Sequence, residues 1–175
     1  MQKTKCSECE KDILLPIVQR TLSFLSENMG VHIISQDAQI SFMQKVQLKK
    51  NTVMISTGGS IQVLISMSYD DKLLNKLMES FLEGETVALE EFDEVRESVA
   101  CEVINIIIGN ALINPKDDTV LSISPPILIQ EAKSLIKHKN SKIALSAIVT
   151  DFGDLLITVI GTKDLFIDDL ELKEL

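Results

Sequence analysis

The segment from about Leu89 to Leu112 constrains this chain more than any other. It holds roughly 20 residues without a proline or glycine before Gly109, too long for an ordinary strand despite its isoleucines, so it reads as a helix. Its acidic start, Glu90, Glu91, Asp93 and Glu94, suits the positive end of a helix macrodipole. At about 100° per residue, Ser98, Glu102, Asn105 and Gly109 fall within a stripe roughly 60° wide. Val99, Val103, Ile104, Ile107 and Ile108 cover most of the remaining circumference. A carboxylate and a carboxamide among such residues cost about 1–3 kcal/mol or more to bury without partners. The stripe is therefore a candidate site. The plainer alternative is a polar seam that faces solvent or satisfies backbone groups. Small residues at both ends of the stripe, which admit another surface, and the one-turn spacing of Glu102 and Asn105 favour the site.

A helix of this kind needs a sheet or other helices to cover it, and the flanking pattern supplies both. Ile13 to Met29 carries Leu14, Ile17, Val18, Leu22 and Leu25 at helical spacing. Pro16 suits its first turn and Gly30 its end. Val53–Ile55 and Ile61–Met67, joined through Thr57-Gly-Gly-Ser60, read as a β-hairpin. Asp70 or Asp71 can cap a helix carrying Leu73, Leu74, Leu77, Met78 and Phe81, which Gly84 ends. After the break at Asn114-Pro115, residues 120–129 are extended, with Pro125-Pro126 fitting an edge or bulge. A short helix is expected over Glu131–Lys137. A second hairpin follows, Lys142–Val149 and Leu155–Ile160, around Asp151-Phe-Gly-Asp154. Hairpins with helices grouped between them predict an α+β sandwich, an antiparallel β-sheet with long helices packed on it in the order α-ββ-α-α-β-(α)-ββ. Residues 1–12 are expected to form a flexible leader, 13–163 a single domain, and 164–175 an acidic tail.

Composition narrows the partners. The formal net charge is −9 and the pI about 4.7, so the chain lacks the basic stripe that binds phosphate backbones, and nucleic acid is not an expected partner. No apolar run reaches the 18–20 residues needed to span a bilayer, and residues 1–10 have no signal-peptide core. Three cysteines without such a signal point to a reducing compartment, and the expected location is the cytoplasm.

Other motifs carry less. Cys6-Ser-Glu-Cys9 is a lone pair with no second half, whereas a structural zinc needs about four ligands; no metal site is expected within the chain, the alternative being one shared across a dimer. Cys101, on the apolar side of the long helix, reads as core filling. Thr57–Ser60 lacks the lysine of a phosphate loop. Asp164, Asp168, Asp169, Glu171 and Glu174 do not follow calcium-loop spacing. His32 and His138 have no neighbours that form a nucleophilic set.

Ser98-x-x-x-Glu102-x-x-Asn105 with a downstream proline resembles the signature of the CheC/CheX chemotaxis phosphatases. Pro16, the Gly-Gly hairpin before Ile61, Gly109-Asn110 closing the motif helix, and Ser124-Pro125-Pro126 look CheX-like, so the likeness runs from about Ile13 to Thr162. One full copy of the motif is present. In the first helix Ser23 and Glu27 are followed by Gly30 where the asparagine would stand, which matches CheX, with one site, rather than CheC, with two. Pro125 follows Asn105 more closely than in the CheC pattern. The resemblance implies a homodimer with sheet elements paired between subunits, and hydrolysis of the aspartyl phosphate of a CheY-like response regulator in chemotaxis or two-component signalling. It implies Glu102 and Asn105 as the catalytic pair, supported by Ser98, Gly109, Asn110 and Pro125. It also implies no cofactor of the chain's own, with Mg2+ supplied by the regulator. The competing reading is a non-catalytic module that docks on a regulator or another signalling partner through the same stripe. A third is a stripe buried within a dimer.

Overall fold

The computed structural model describes residues 13–41, 44–59, 62–112, 122–131, 133–136 and 138–162. Helix α1 (Leu14–Ser23) continues as a wider π-turn over Phe24–Asn28. Gly30, at φ +62°, stops it, and the Val31 N–H donates to the Leu25 carbonyl at 2.8 Å. This is the left-handed closure that glycine allows. Strands β1 (Ile33–Ser41), β2 (Lys45–Gln47), β3 (Asn51–Gly58) and β4 (Leu64–Tyr69) precede α2 (Asp71–Leu82) and α3 (Phe92–Ala111). Strands β5 (Ser122–Ile123), β6 (Ile127–Gln130), β7 (Ser134–Ile136), β8 (Ser141–Thr150) and β9 (Gly153–Thr162) follow.

Seven strands form one antiparallel sheet in the order β1-β8-β9-β4-β3-β5, with β6 also on β3; β2 and β7 pair separately. The period-2 rule sorts side chains between the two faces. Val53, Ile55, Ile65, Met67, Tyr69, Ile148, Leu155, Ile157 and Val159 meet the helices in the main core. On the opposite face, Ile143 and Leu145 form a smaller cluster with Val46 of β2. The helix α3 contacts α1, α2, β3 and β6. The expected α+β architecture, the hairpin β3–β4, the hairpin β8–β9 and the three helices are all present.

Two expectations need correction. Residues 134–136 form strand β7, not a helix. Glu131 takes a left-handed φ of 57°, which breaks a helical start, and β2 supplies a partner strand, Val46 opposite Leu135. A long-range pairing here outweighs local helix propensity. Strand β1 is the other departure: its residues Ile34–Asp37 are exposed, and among the described residues it pairs with β8 alone. A polar edge strand has no alternating apolar signal to read.

Asp70 does precede α2, yet its carboxylate does not cap the helix. Its oxygens instead accept from Lys49 Nζ at 2.8 Å and from the Asp154 N–H at 2.8 Å. This ties the β2–β3 connection to the start of β9. Gly153 turns the β8–β9 hairpin at φ +112°, and a Cβ there would lie 2.8 Å from Asp70 Cβ. No helix among the described residues is long and apolar enough to cross a membrane. The expected leader with Cys6 and Cys9, the break at Asn114–Asp118, and the tail from Asp164 lie outside the described residues.

Candidate functional site

The helix α3 is anchored by one side. Val103, Ile104, Ile107 and Ile108 are fully buried and Ala100 with them. Each of the four large side chains contributes roughly 1.5–3 kcal/mol by leaving water. The opposite side carries Ser98, Glu102 and Asn105, all exposed, and half-buried Gly109; Asn110, also exposed, lies off this stripe next to the helix end. The polar stripe thus bears no burial cost: in the single chain it is the solvent face of a helix whose other faces hold it rigidly against the sheet.

Glu102 and Asn105 are three positions apart in the helix, which puts their Cβ atoms about 5–6 Å apart on one surface. Around Gly109 there is open space: beyond its chain neighbours and the adjoining backbone of α3, nothing lies within 4 Å of where a Cβ would stand. Asn110 does not project freely, because its Nδ2 donates back to the Ile106 carbonyl at 2.6 Å. Pro125 lies on another element, the exposed link between β5 and β6. There Ser124 is stitched to β3: its N–H donates to the Ser56 carbonyl at 2.8 Å, and its Oγ accepts from the Ser56 N–H at 2.9 Å. The structure therefore gathers Ser98, Glu102, Asn105 and Gly109 on one face and leaves Pro125 at the sheet edge.

The surroundings of the stripe are held by polar contacts. Glu97 accepts a hydrogen bond from Gln130 Nε2 of β6, tying α3 to the sheet. Arg96 is mostly covered and reaches Asp71 of α2 at 3.4 Å and Asp93 at 3.2 Å. Cys101 is half-buried against the core; burial pushes its thiol up, and the Glu97 charge adds to that. A thiol held protonated is a poor nucleophile, consistent with a packing role. In α1, Ser23 Oγ donates to Glu27 Oε1 at 3.1 Å, and Gly30 lies beyond the helical turn, so these residues do not reproduce the pair on α3.

A feature not legible as a site in the sequence adjoins the stripe. Phe81 of α2 and Glu91, Glu94, Val95, Ser98, Val99 and Glu102 line an open groove of about 510 Å³. Positions 91, 95, 98 and 102 recur at four, three and four residues, so the groove continues the stripe toward the start of α3. That spacing is visible in the sequence, but the acidic residues there are equally explained by the helix macrodipole. Among the described residues, no group of three or more His, Cys, Asp or Glu side chains is placed to hold a metal ion.

Residues 51–150, which include β3, the whole of α3 and strand β8 but not β9, match the family described as Chemotaxis phosphatase CheX. No curated protein matches the chain. Among solved structures, the chemotaxis protein CheX from Desulfovibrio desulfuricans is 15% identical at a TM-score of 0.70, over 84% of this chain and 97% of that one. CheX from Vibrio vulnificus is 19% identical at a TM-score of 0.67, over 84% and 97%. CheX of a CheX-CheY-BeF3-Mg2+ complex from Borrelia burgdorferi is 20% identical at a TM-score of 0.66, over 86% and 97%. At these identities the structural likeness is one of fold.

Proposed function

This chain belongs to the CheX family of chemotaxis phosphatases, and we propose that it hydrolyses the aspartyl phosphate of a CheY-like response regulator, with Glu102 and Asn105 as the acting pair. The observation that carries the proposal is the exposure of both residues, one turn apart, on a helix otherwise locked into the core. The Borrelia burgdorferi complex, in which a CheX of this fold is joined to a CheY, supports the partner class.

An acyl phosphate is already activated, so the phosphatase needs no nucleophile of its own. Water attacks phosphorus, its oxygen forms the new P–O bond, and the bond to the aspartyl oxygen breaks. The aspartate leaves as carboxylate with inorganic phosphate as the other product. Asn105 carries both a donor and an acceptor and holds that water in line, which removes much of the entropic part of the barrier. Glu102 pairs with a cationic side chain of the regulator and fixes the docking geometry through a charge-assisted hydrogen bond. Gly109 lets the regulator's backbone come close. Mg2+, when bound by the regulator, neutralises charge on the phosphoryl oxygens. The proposal includes a homodimer, which sedimentation of the purified chain tests.

Decay of an acetyl-phosphate-labelled response regulator, followed with and without the protein, is the direct experiment. Wild type is expected to shorten the phosphate's lifetime and Asn105→Ala to restore the regulator's own rate. Equal decay with wild type and Asn105→Ala would sink the catalytic reading. A stable complex with an unchanged lifetime would instead identify a binding module.

A further inference from the structure

Apart from Glu102, the groove beside the stripe is made of residues that the proposed reaction does not use. Its walls are apolar, from Phe81, Val95 and Val99, and its rim is anionic, from Glu91, Glu94 and Glu102. A second, smaller hollow of about 280 Å³ is lined by Met78, Leu82, Val87 and Phe92 with Glu79 and Glu85. Neither lining includes a lysine or arginine. Between Glu79 and Glu102 there are nine acidic residues and one basic one, Arg96. That arginine is engaged by Asp71 and Asp93. Most of the chain's excess negative charge is therefore concentrated along this one segment. Leu89, in the connection between α2 and α3, is 93% exposed.

We propose that the α2–α3 groove is a specificity surface that receives a part of the regulator presenting an apolar side chain flanked by lysine or arginine. The proposal rests on the function proposed above and names how the same site selects its partner. Two observations favour this occupant. Ser98 and Glu102 belong to both the stripe and the groove, so a regulator seated on the stripe extends over the groove without a second interface. The rim's sign complements a basic partner and repels a second copy of this acidic chain, because like charges facing each other across an interface are costly. The rim attracts the partner from a distance and the apolar floor holds it, so the groove sets affinity and orientation while Asn105 sets the chemical step.

The test uses the full-length protein and acetyl-phosphate-labelled response regulators from the source organism. Glu91→Lys/Glu94→Lys is compared with Asp37→Lys on the exposed part of β1, at matched far-UV circular dichroism. The groove variant is expected to raise KM about tenfold at low salt with kcat unchanged, and Asp37→Lys to leave KM within about twofold. Because surface charges are screened within about 3 Å at 1 M salt, wild type and groove variant should converge there. Val95→Gln, which changes the floor and not the rim's charge, is expected to raise KM at every salt concentration. The inference is overturned if Glu91→Lys/Glu94→Lys and Val95→Gln behave like Asp37→Lys while Asn105→Ala still abolishes turnover. If Asn105→Ala has no effect, the phosphatase reading fails separately. Anisotropy of fluorescently labelled regulator then decides the groove: unchanged binding by the groove variant overturns the proposal, and weakened binding supports it. A change in sedimentation of the variant alone would assign the groove to a second copy and overturn it too.

Discussion

Glu102 and Asn105 face solvent one turn apart while Val103 and Ile104, the two residues between them, are fully buried. Solvent-facing and core-forming positions thereby alternate along the sequence within one helical turn. Substitutions at exposed positions away from caps and networks usually change stability by no more than about 0.5 kcal/mol. Asn105→Ala is therefore expected to lose about a hundredfold or more in the catalysed rate, the scale on which misplaced reacting groups act, with an unchanged denaturation midpoint. Ile104→Ala should do the reverse in kind, costing about 2–5 kcal/mol of stability. Chemical denaturation alongside the decay assay measures both.

Glu102 tests docking rather than water placement. Glu102→Gln keeps the side chain's shape and one acceptor oxygen but removes the charge. The expected result is a higher KM and a shallower dependence of KM on salt, because an exposed ionic contact is screened by added ions. Glu102→Ala should lower the rate as well, since the regulator then seats less uniquely over Asn105. Steady-state turnover across a salt series distinguishes the two variants.

Gly109 makes a different prediction, one that concerns space. It lies inside α3, where glycine costs roughly 0.5–1 kcal/mol relative to alanine, and a Cβ there would meet nothing within 4 Å. Gly109→Ala should accordingly stabilise the protein by up to about that amount, and Gly109→Trp should fold normally. If the surface near Gly109 is approached closely by the regulator, Gly109→Trp blocks turnover while melting like wild type. Retention of full activity by Gly109→Trp would remove Gly109 from the interface.

How much of this was legible beforehand depends on where the deciding interaction lies. The α3 stripe was readable because the helical period alone places Ser98, Glu102, Asn105 and Gly109 on one side, and local apolar neighbours say which side is buried. The hairpins β3–β4 and β8–β9 were readable because their strands and turns are contiguous. Leu135 and Ile136 were misread as helical because their partners, Val46 and Lys45, are about 90 residues away and leave no trace in the local pattern. The groove was missed for the same reason: Phe81 comes from α2, and only the packing of α2 on α3 brings it beside Val95 and Val99. Asp70 or Asp71 reads as a cap from its position before α2, whereas the Asp70 carboxylate is taken by Lys49 and the Asp154 N–H from distant segments.

Asp70 also makes a pH prediction. Burial pushes its carboxyl up, but the Lys49 hydrogen bond, the Asp154 N–H and the Lys49 charge together outweigh that, and its pKa falls below the ordinary carboxylate value. A carboxyl with a lower pKa in the folded than in the unfolded chain stabilises the fold above its unfolded value, about 3.9 for aspartate. That contribution is lost as the pH falls through the depressed folded value. The Asp70 side chain is 40% exposed, so solvent screening limits the effect to about 1 kcal/mol. Asp70→Asn should be less stable than wild type by about that amount at pH 7, and the gap should narrow as the pH falls below about 4. Urea denaturation of both proteins between pH 7 and pH 3 measures it, and a gap that stays constant over this range would show that Asp70 acts through its shape rather than its charge.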